Sequence, residues 1–149
     1  MRALVQRVSH ASVSIEGVLH DKIDQGLLIF LGVENADDQS DVDWLGRKII
    51  NMRIFSDGDD KMNLSVKDIA GQILVISQFT LHASTKKGNR PSFIKAARPS
   101  QAIPLYEGFI HYLNQEIDYV GSGQFGADMQ IGIINDGPVT IWLDSQNKE

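Results

Sequence analysis

The sequence contains no cysteine among its 149 residues. This absence excludes disulfide bonds, thiol nucleophiles and thiolate metal sites, and it is typical of proteins in a reducing cytoplasm. Long hydrophobic segments are also lacking, because the longest apolar run, residues 27–33, is far too short to span a bilayer. Since the N-terminus has no hydrophobic signal core, the sequence predicts a cytoplasmic protein that does not enter membranes.

Histidine is scarce, and the four histidines are spread along the chain at His10, His20, His82 and His111. No histidine and carboxylate cluster has metal-ligand spacing. The acidic run at residues 57–60 lacks the glycine position and the terminal glutamate of an EF-hand loop, so it predicts a turn. We therefore expect neither a metal nor a cofactor.

Positive charge is concentrated in one place. The formal net charge is −5, yet residues 82–98, the basic segment, contain no acidic residue and five of the 14 basic ones: Lys86, Lys87, Arg90, Lys95 and Arg98. The rest of the chain has nine basic residues against 19 acidic ones. An acidic body with one basic segment can bind a polyanion at a single place. The alternative is a solvated loop.

Hydrophobic periodicity predicts an α/β fold, a single β-rich layered domain over residues 1–149 with two helices. Residues 11–15 and 18–23 predict a hairpin, and residues 27–33 predict a central strand. Residues 129–134 and 139–143 predict two final strands that are separated by a turn. The first helix is expected to begin at Ser40. Ser100 is the expected cap of the second helix, which places Pro104 in the first turn.

A buried strand that ends in polar groups is the first candidate site. Residues 73–76 are continuously aliphatic, as in a strand buried on both faces. The strand is predicted to continue through Ser77, Gln78, Phe79 and Thr80, with His82 on the same face as Thr80. Such a strand end can hold a site on a rigid scaffold. The alternative is that the two hydroxyls only cap the strand.

The second candidate is a polar turn between two apolar runs, Asn135-Asp136-Gly137-Pro138-Val139-Thr140. The residue pattern by itself favours an ordinary trans turn. Together with Ser77-Gln78-Phe79-Thr80, however, this segment resembles the two signature motifs of the D-aminoacyl-tRNA deacylases. Residues 88–93 and 123–129 also fit that family, and the resemblance covers nearly the whole chain.

The resemblance implies a homodimer that hydrolyses the ester bond of D-aminoacyl-tRNA and also clears glycine from mischarged tRNA. Ser77 and Gln78 would shape the pocket and orient the ester. The backbone of Phe79 would contact the α-amino group, and Thr80 would contact the ester or water. Catalysis would be assisted by the 2′-hydroxyl of the RNA, without a protein base.

The resemblance also implies how the wrong enantiomer is rejected. The Gly137–Pro138 bond would be cis, and the dimer partner would insert this turn into the site, where its oxygens exclude an L side chain. The supporting residues would be Arg7, Asn135 and Met129, with Met129 near the terminal adenosine. The expected tRNA phosphate contacts are Lys86, Lys87 and Arg90.

Other functions remain open at this stage. One is a non-catalytic homodimer that binds nucleic acid through the basic segment, with steep salt dependence and no chiral preference. Another is an esterase that uses Thr80 as a covalent nucleophile, although no base to activate it is visible. His82 as an essential base is a further alternative.

Overall fold

A mixed sheet with two helices forms the fold of the computed structural model, which describes residues 1–148. A 3₁₀ turn at Phe79–His82 separates the strand β6 from the second helix. The elements are β1 (Arg2–Ile15), β2 (Val18–Ile23), β3 (Gly26–Gly32), α1 (Gln39–Asn51), β4 (Phe55–Ser56), β5 (Met62–Leu64), β6 (Gln72–Ser77), α2 (Pro99–Asn114), β7 (Val120–Ser122) and β8 (Met129–Asp144). The β-rich α/β fold with two helices is therefore confirmed.

The sheet is built around β3 and β6. Its strand order is β2-β1-β3-β6-β7, and β8 pairs with the other side of β1. β1 pairs antiparallel with β2, β3 and β8, whereas β3, β6 and β7 run parallel, because α1 and α2 lie in the connections between them. Every residue from Ile73 to Ile76 is buried, as in a strand covered on both faces.

Two apolar clusters cover the two faces of the sheet. One cluster packs α1 and α2 against β1, β3 and β6, and its helical members include Leu45, Ile49, Tyr106 and Phe109. The other lies on the opposite face, where Met129 and Ile131 of β8 pack against residues of β1, β3 and β6. The start of β8 therefore reaches across the sheet toward the end of β6.

The helix starts differ from the sequence predictions. Asp38, not Ser40, caps α1: its carboxylate accepts a hydrogen bond from Ser40 N at 2.8 Å, and Asp41 Oδ2 accepts one from Asp38 N in return. The cap of α2 is Arg98, not Ser100. Because α2 begins at Pro99, the predicted place of Pro104 in the first turn was wrong, and this proline lies inside the helix.

The last strand also differs from the prediction. Residues 129–144 form one strand, β8, which stays paired with β1 on both sides of the Gly137–Pro138 bond. Val8 pairs with Asn135 and Gln6 pairs with Thr140, so a single β1 residue, Arg7, faces four residues of β8. The polar turn is therefore a large bulge in a continuous edge strand.

Neither helix within the described residues 1–148 is long and apolar enough to cross a membrane.

The cap assignment for α1 can be tested by stability. Asp38→Ala removes the side chain that accepts from Ser40 N, so we expect the free energy of unfolding to fall by about 1 kcal/mol. Ser40→Ala is the matched control and should cost less, because only a side-chain bond to Asp38 is lost. Urea denaturation of both variants measures the difference. An equal or larger loss for Ser40→Ala would contradict the assignment.

Candidate active site

The strand β6 ends at Ser77, and the chain then turns sharply instead of continuing as a strand. Gln78 N donates a hydrogen bond to Leu31 O at 2.7 Å, which extends the pairing with β3 by one step. The next four residues form the 3₁₀ turn Phe79–His82, which is closed by a bond from Leu81 N to Gln78 O at 3.3 Å. The predicted extension of the strand through Thr80 was wrong.

The turn brings the side chains of Gln78 and Thr80 together. Gln78 Nε2 donates a hydrogen bond to Thr80 Oγ1. Because that oxygen already accepts a hydrogen bond, the threonine hydroxyl is free to donate one to an ester or a water molecule. Thr80 is exposed and Gln78 is half-buried. This pair can orient a substrate, but it contains no ionised group that could act as a base.

His82 lies beneath the turn, and its predicted position on the face of Thr80 was wrong. The residue is only 2% exposed, and neither ring nitrogen has a hydrogen-bond partner among the described residues. Burial lowers the pKa of the His82 imidazole below its usual value. Since His82 is also absent from the lining of the adjacent cavity, this placement does not support it as an essential base.

Gly32 allows the turn to approach β3 closely. A Cβ atom at this position would lie 2.9 Å from Gln78 O and 3.0 Å from His82 Nε2. Both distances are shorter than ordinary van der Waals contact. Any side chain at residue 32 would therefore displace the turn that presents Gln78 and Thr80.

A cavity of about 320 Å³ opens beside the turn. Ser77, Gln78 and Phe79 form one wall of this cavity, and residues 125–129 form another. Tyr106 of α2 also lines it, and its hydroxyl donates a hydrogen bond to Val75 O at 2.9 Å. The pocket is concave and mostly apolar with a few polar residues, Ser77 and Gln78 in one wall and Asp128 in the other, which is the usual form of a small-ligand site. Met129 lies in this lining, whereas Thr80 lies just outside it.

The basic segment connects the 3₁₀ turn to α2. Its middle part forms a loop that two backbone bonds close, from Ser84 N to Ser92 O at 2.8 Å and from Ser92 N to Ser84 O at 2.9 Å. Lys86, Lys87 and Arg90 all lie in the exposed part of this loop. None of the three forms an ion pair within residues 1–148.

The bulge at Gly137–Pro138 contains a cis peptide bond. The cis geometry implied by the resemblance is confirmed, and the ordinary trans turn is excluded. Arg7 Nε donates to Asp136 O at 3.2 Å and lies 3.1 Å from Asp136 Oδ2, which holds the bulge, and Arg7 Nη1 donates to Ile54 O at 2.7 Å, which anchors the guanidinium beside β4. Asn135 Nδ2 donates to Arg7 O and to Val139 O, which closes the base of the bulge.

The two motifs do not meet within one chain. Ser77 is in register with Leu31, and Leu31 is in register with Ala3 of β1, whereas the bulge faces Arg7 farther along β1. From β6 to β8 there are three steps across the sheet, each of about 4.8 Å. Within one chain the two motifs therefore lie on strands that are not neighbours in the sheet.

A family model described as D-Tyr-tRNA(Tyr) deacylase matches residues 4–144. The chain belongs to this deacylase family. It is 58% identical to the D-aminoacyl-tRNA deacylase of Flavobacterium johnsoniae and 59% identical to that of Akkermansia muciniphila, and each match covers both chains completely. The family resemblance and the enzyme class expected from the sequence are therefore confirmed. Members of this family are hydrolases that act on the ester bond of aminoacyl-tRNA.

Two solved structures share the deacylase fold. One is described as a c-Myc DNA Unwinding Element Binding Protein, with 41% identity and a TM-score of 0.92; the match covers 97% of this chain and 98% of that one. The other is described as a probable eukaryotic D-amino acid tRNA deacylase, with 15% identity and a TM-score of 0.81. That match covers 95% of this chain and 97% of the other, and it shows the fold alone.

Several residues around the deacylase motifs were missed in the sequence. Arg2 Nη1 donates to Leu81 O at 3.0 Å and Arg2 Nε donates to Asp144 Oδ2 at 2.9 Å, which ties the 3₁₀ turn to the end of β8. Tyr106, which lines the cavity, was also not identified from the sequence. Of these residues, Gly32 is the one that the sequence could have identified, because a glycine inside an aliphatic strand often marks a close approach of another backbone segment.

The buried imidazole predicts a pH-dependent loss of stability. Because the unfolded chain takes up a proton near pH 6.5 and folded His82 resists it, the stability that neutral His82 contributes is present above about pH 6.5 and falls as the pH decreases. We expect the urea midpoint of His82→Leu to decrease less between pH 7.5 and 5 than that of the wild type. His20→Leu, which changes an exposed histidine, is the control. Parallel curves for wild type and His82→Leu would contradict a buried neutral histidine.

Proposed function

We propose that this protein hydrolyses the ester bond of D-aminoacyl-tRNA to give free D-amino acid and tRNA, and that it also clears glycine from mischarged tRNA. The family and the full-length relatives support the activity. The observation that carries the proposal is the cavity beside Ser77, Gln78 and Phe79. An ester bound there would meet water and the backbone N–H groups of the exposed turn.

The chemistry needs no protein base in this proposal. An aminoacyl ester is already reactive, and its neighbouring 2′-hydroxyl can position or activate water. The amides of Phe79 and Thr80 open the 3₁₀ turn, so by its geometry they have no acceptor inside it. Such amides can donate hydrogen bonds to a developing oxyanion, and the backbone carbonyl of Phe79 can accept one from the α-amino group of the substrate. Ser77 and Gln78 orient the ester, and Thr80 binds the ester or the water.

The cavity is assigned to the terminal adenosine of the tRNA. Its apolar lining includes the aromatic ring of Phe125 and the thioether of Met129, which suit the flat face of a base. The exposed cations Lys86, Lys87 and Arg90 follow directly in the chain after the wall of this cavity. They would bind the phosphate backbone, and the acidic remainder of the chain would repel it elsewhere.

Selection against L-aminoacyl groups is assigned to the cis bulge of a second copy. The bulge projects from an edge strand and exposes Gly137 and Pro138 to solvent. Inserted beside the turn of its partner, its rigid backbone would occupy the space that an L side chain requires. A D side chain would point away from the bulge, so D-aminoacyl groups would be accepted with little regard to the side chain.

The edge strand β8 supports the homodimer. No residue of β8 within Met129–Asp144 is buried, and its free edge offers 16 residues of backbone. Ile133, Ile134 and Trp142 are exposed on it by 40%, 59% and 48%. A long apolar edge is an aggregation hazard unless another chain covers it. A tRNA substrate would also place the homodimer in the cytoplasm, as expected from the sequence.

Binding of nucleic acid without catalysis is the second candidate. The favouring observation is the 41% identical structure whose description names a DNA unwinding element. In that case the basic segment would bind single or double strands, and the pocket would have no catalytic role.

The assignment is tested by release of amino acid from matched D- and L-tyrosyl-tRNA, with and without EDTA. We expect release from the D form only, unaffected by EDTA. Thr80→Ala should keep its rate within about tenfold, because one hydrogen bond is lost. A D-tyrosyl-tRNA ending in 2′-deoxyadenosine should be hydrolysed far more slowly, because the assisting hydroxyl is missing.

Other outcomes identify the alternatives. A loss of several orders of magnitude in Thr80→Ala, with the 2′-deoxy substrate still cleaved, would establish Thr80 as the nucleophile. Tight binding of tRNA or DNA without release of either amino acid would leave only the binding function.

The chiral role of the bulge is tested with Arg7→Met and Gly137→Ala. Arg7→Met removes the hydrogen bond and the ion pair that tie Arg7 to Asp136 of the bulge, and a Cβ at Gly137, where φ is +119°, would lie 2.8 Å from Arg7 Nη2. We expect the ratio of D to L hydrolysis to fall about tenfold or more in each variant, which is the effect of one or two charged hydrogen bonds. The rates are measured with the same pair of tyrosyl-tRNAs.

Matched controls separate this role from general damage. Arg53→Met changes an exposed arginine, and Gly58→Ala adds a Cβ that meets nothing within 4 Å. Both controls should keep the ratio, and sedimentation should show dimers for all four variants. An unchanged ratio in the dimeric Arg7 and Gly137 variants would place the chiral filter elsewhere.

A further inference from the structure

We propose that the side chain of Phe79 is a stacking platform for the unpaired nucleotide that precedes the terminal adenosine of the tRNA. The inference rests on the proposed function and deepens it. Only the backbone of Phe79 has a role in the proposed function, and this inference gives its side chain a role in specificity. Phe93 is the positioning residue that holds this platform, and the cations of the basic segment bind the neighbouring phosphates.

Phe79 is far more exposed than its chemistry would favour. It is 55% exposed, although it directly follows Gln78 at the end of a strand that is buried on both faces. A large apolar ring held in water next to a ligand cavity indicates a surface that a ligand covers. Aromatic rings bind unpaired bases by stacking, and they do so for any base, because every base has a flat π-face.

The ring of Phe79 is held in place by a second aromatic residue. Phe93 packs against it with ring centroids 5.0 Å apart and planes inclined by 75°, an edge-to-face contact. Phe93 comes directly after Ser92, one of the two residues whose backbone bonds close the basic loop. The aromatic contact therefore fixes the basic loop and the catalytic turn relative to each other.

The order of the groups matches a single strand of nucleic acid. Phe79 lies at the rim of the cavity that is assigned to the terminal adenosine. It also contacts Phe93, which adjoins the loop that carries Lys86, Lys87 and Arg90. A strand that leaves the cavity toward these cations passes Phe79 at its next nucleotide. A rigid aromatic surface between a base pocket and phosphate-binding cations is the usual arrangement for single-stranded nucleic acid.

Charge favours nucleic acid over a protein partner at this surface. The basic segment has no acidic residue, and within residues 1–148 none of the three loop cations is neutralised by an ion pair. Ile94, next to Phe93, is 86% exposed, so exposed apolar side chains occur within a segment whose charged residues are all basic. A polyanion with flat apolar bases fits both properties.

The experiment compares two model substrates that differ only in the preceding nucleotides. One is 3′-O-(D-tyrosyl)adenosine, and the other is the D-tyrosyl ester of the 3′-terminal trinucleotide of tRNA. The measured quantity is the ratio of their kcat/KM values, trinucleotide over mononucleoside, for wild type, Phe79→Leu and Phe79→Tyr. We expect this ratio to fall about tenfold in Phe79→Leu and to be kept within about twofold in Phe79→Tyr, which retains a ring.

A spectroscopic readout reports stacking without catalysis. The uncharged trinucleotide carries 2-aminopurine at its penultimate position, and stacking quenches the fluorescence of this base. Wild type and Phe79→Tyr should quench it on binding, and Phe79→Leu should not. Lys86→Gln should weaken binding of the trinucleotide, reduce its salt dependence and leave the quenching at saturation unchanged.

The outcomes distinguish this proposal from the proposed function. If wild type cleaves both substrates but Phe79→Leu lowers both kcat/KM values equally and still quenches, the side chain has only a structural role and the stacking proposal is overturned. If wild type releases D-tyrosine neither from these esters nor from full-length D-tyrosyl-tRNA, the hydrolytic function itself fails and the stacking role falls with it. If it cleaves D-tyrosyl-tRNA but neither short ester, the quenching measurement alone decides the stacking role. A ratio that is already close to one in wild type also overturns the proposal and leaves the exposed aromatic surface to a protein partner.

Discussion

The burial of β3 and β6 on both faces is the constraint on which the rest of this structure depends. Leucine and isoleucine side chains of this parallel strand pair belong to both apolar clusters, and a shift by one residue would exchange them between the clusters and disrupt the packing of both. The register from Leu31 to Ser77 therefore fixes where β6 ends. The turn that follows inherits this rigidity, although its own residues are exposed.

Rigid support under an exposed turn suits chemistry that depends on backbone groups. Gln78 N is bound to β3, Arg2 binds Leu81 O, and Gly32 lets the two layers meet without a side chain between them. The backbone of the turn is consequently held by the core and by the side chain of Arg2, which is itself bound to Asp144. In the proposed mechanism the reactive ester and the RNA hydroxyl supply the chemistry, so the protein contributes position and shape.

The topology is compatible with the proposed division of the site between two chains. β1 pairs on one side with β3, whose other neighbour β6 leads into the 3₁₀ turn, and on the other side with β8, which carries the cis bulge. The two motifs thus lie on opposite sides of one strand and point to different neighbours. In the proposed homodimer this separation is what allows one chain to supply the ester-binding turn and the other to supply the filter, each on a rigid strand.

The residue pattern alone was enough for the elements whose side chains repeat with a clear period. The buried strands, the first hairpin and the apolar stripes of both helices follow from burial, which acts on each short segment. The motifs at Ser77 and Gly137 were likewise recognisable as a family resemblance. Only packing in three dimensions decided the cap at Asp38, the 3₁₀ turn after Ser77 and the single strand β8. Each of these depends on a partner far along the chain or on competition between neighbouring polar groups, as when Arg7 of β1 holds four residues of β8 in one bulge.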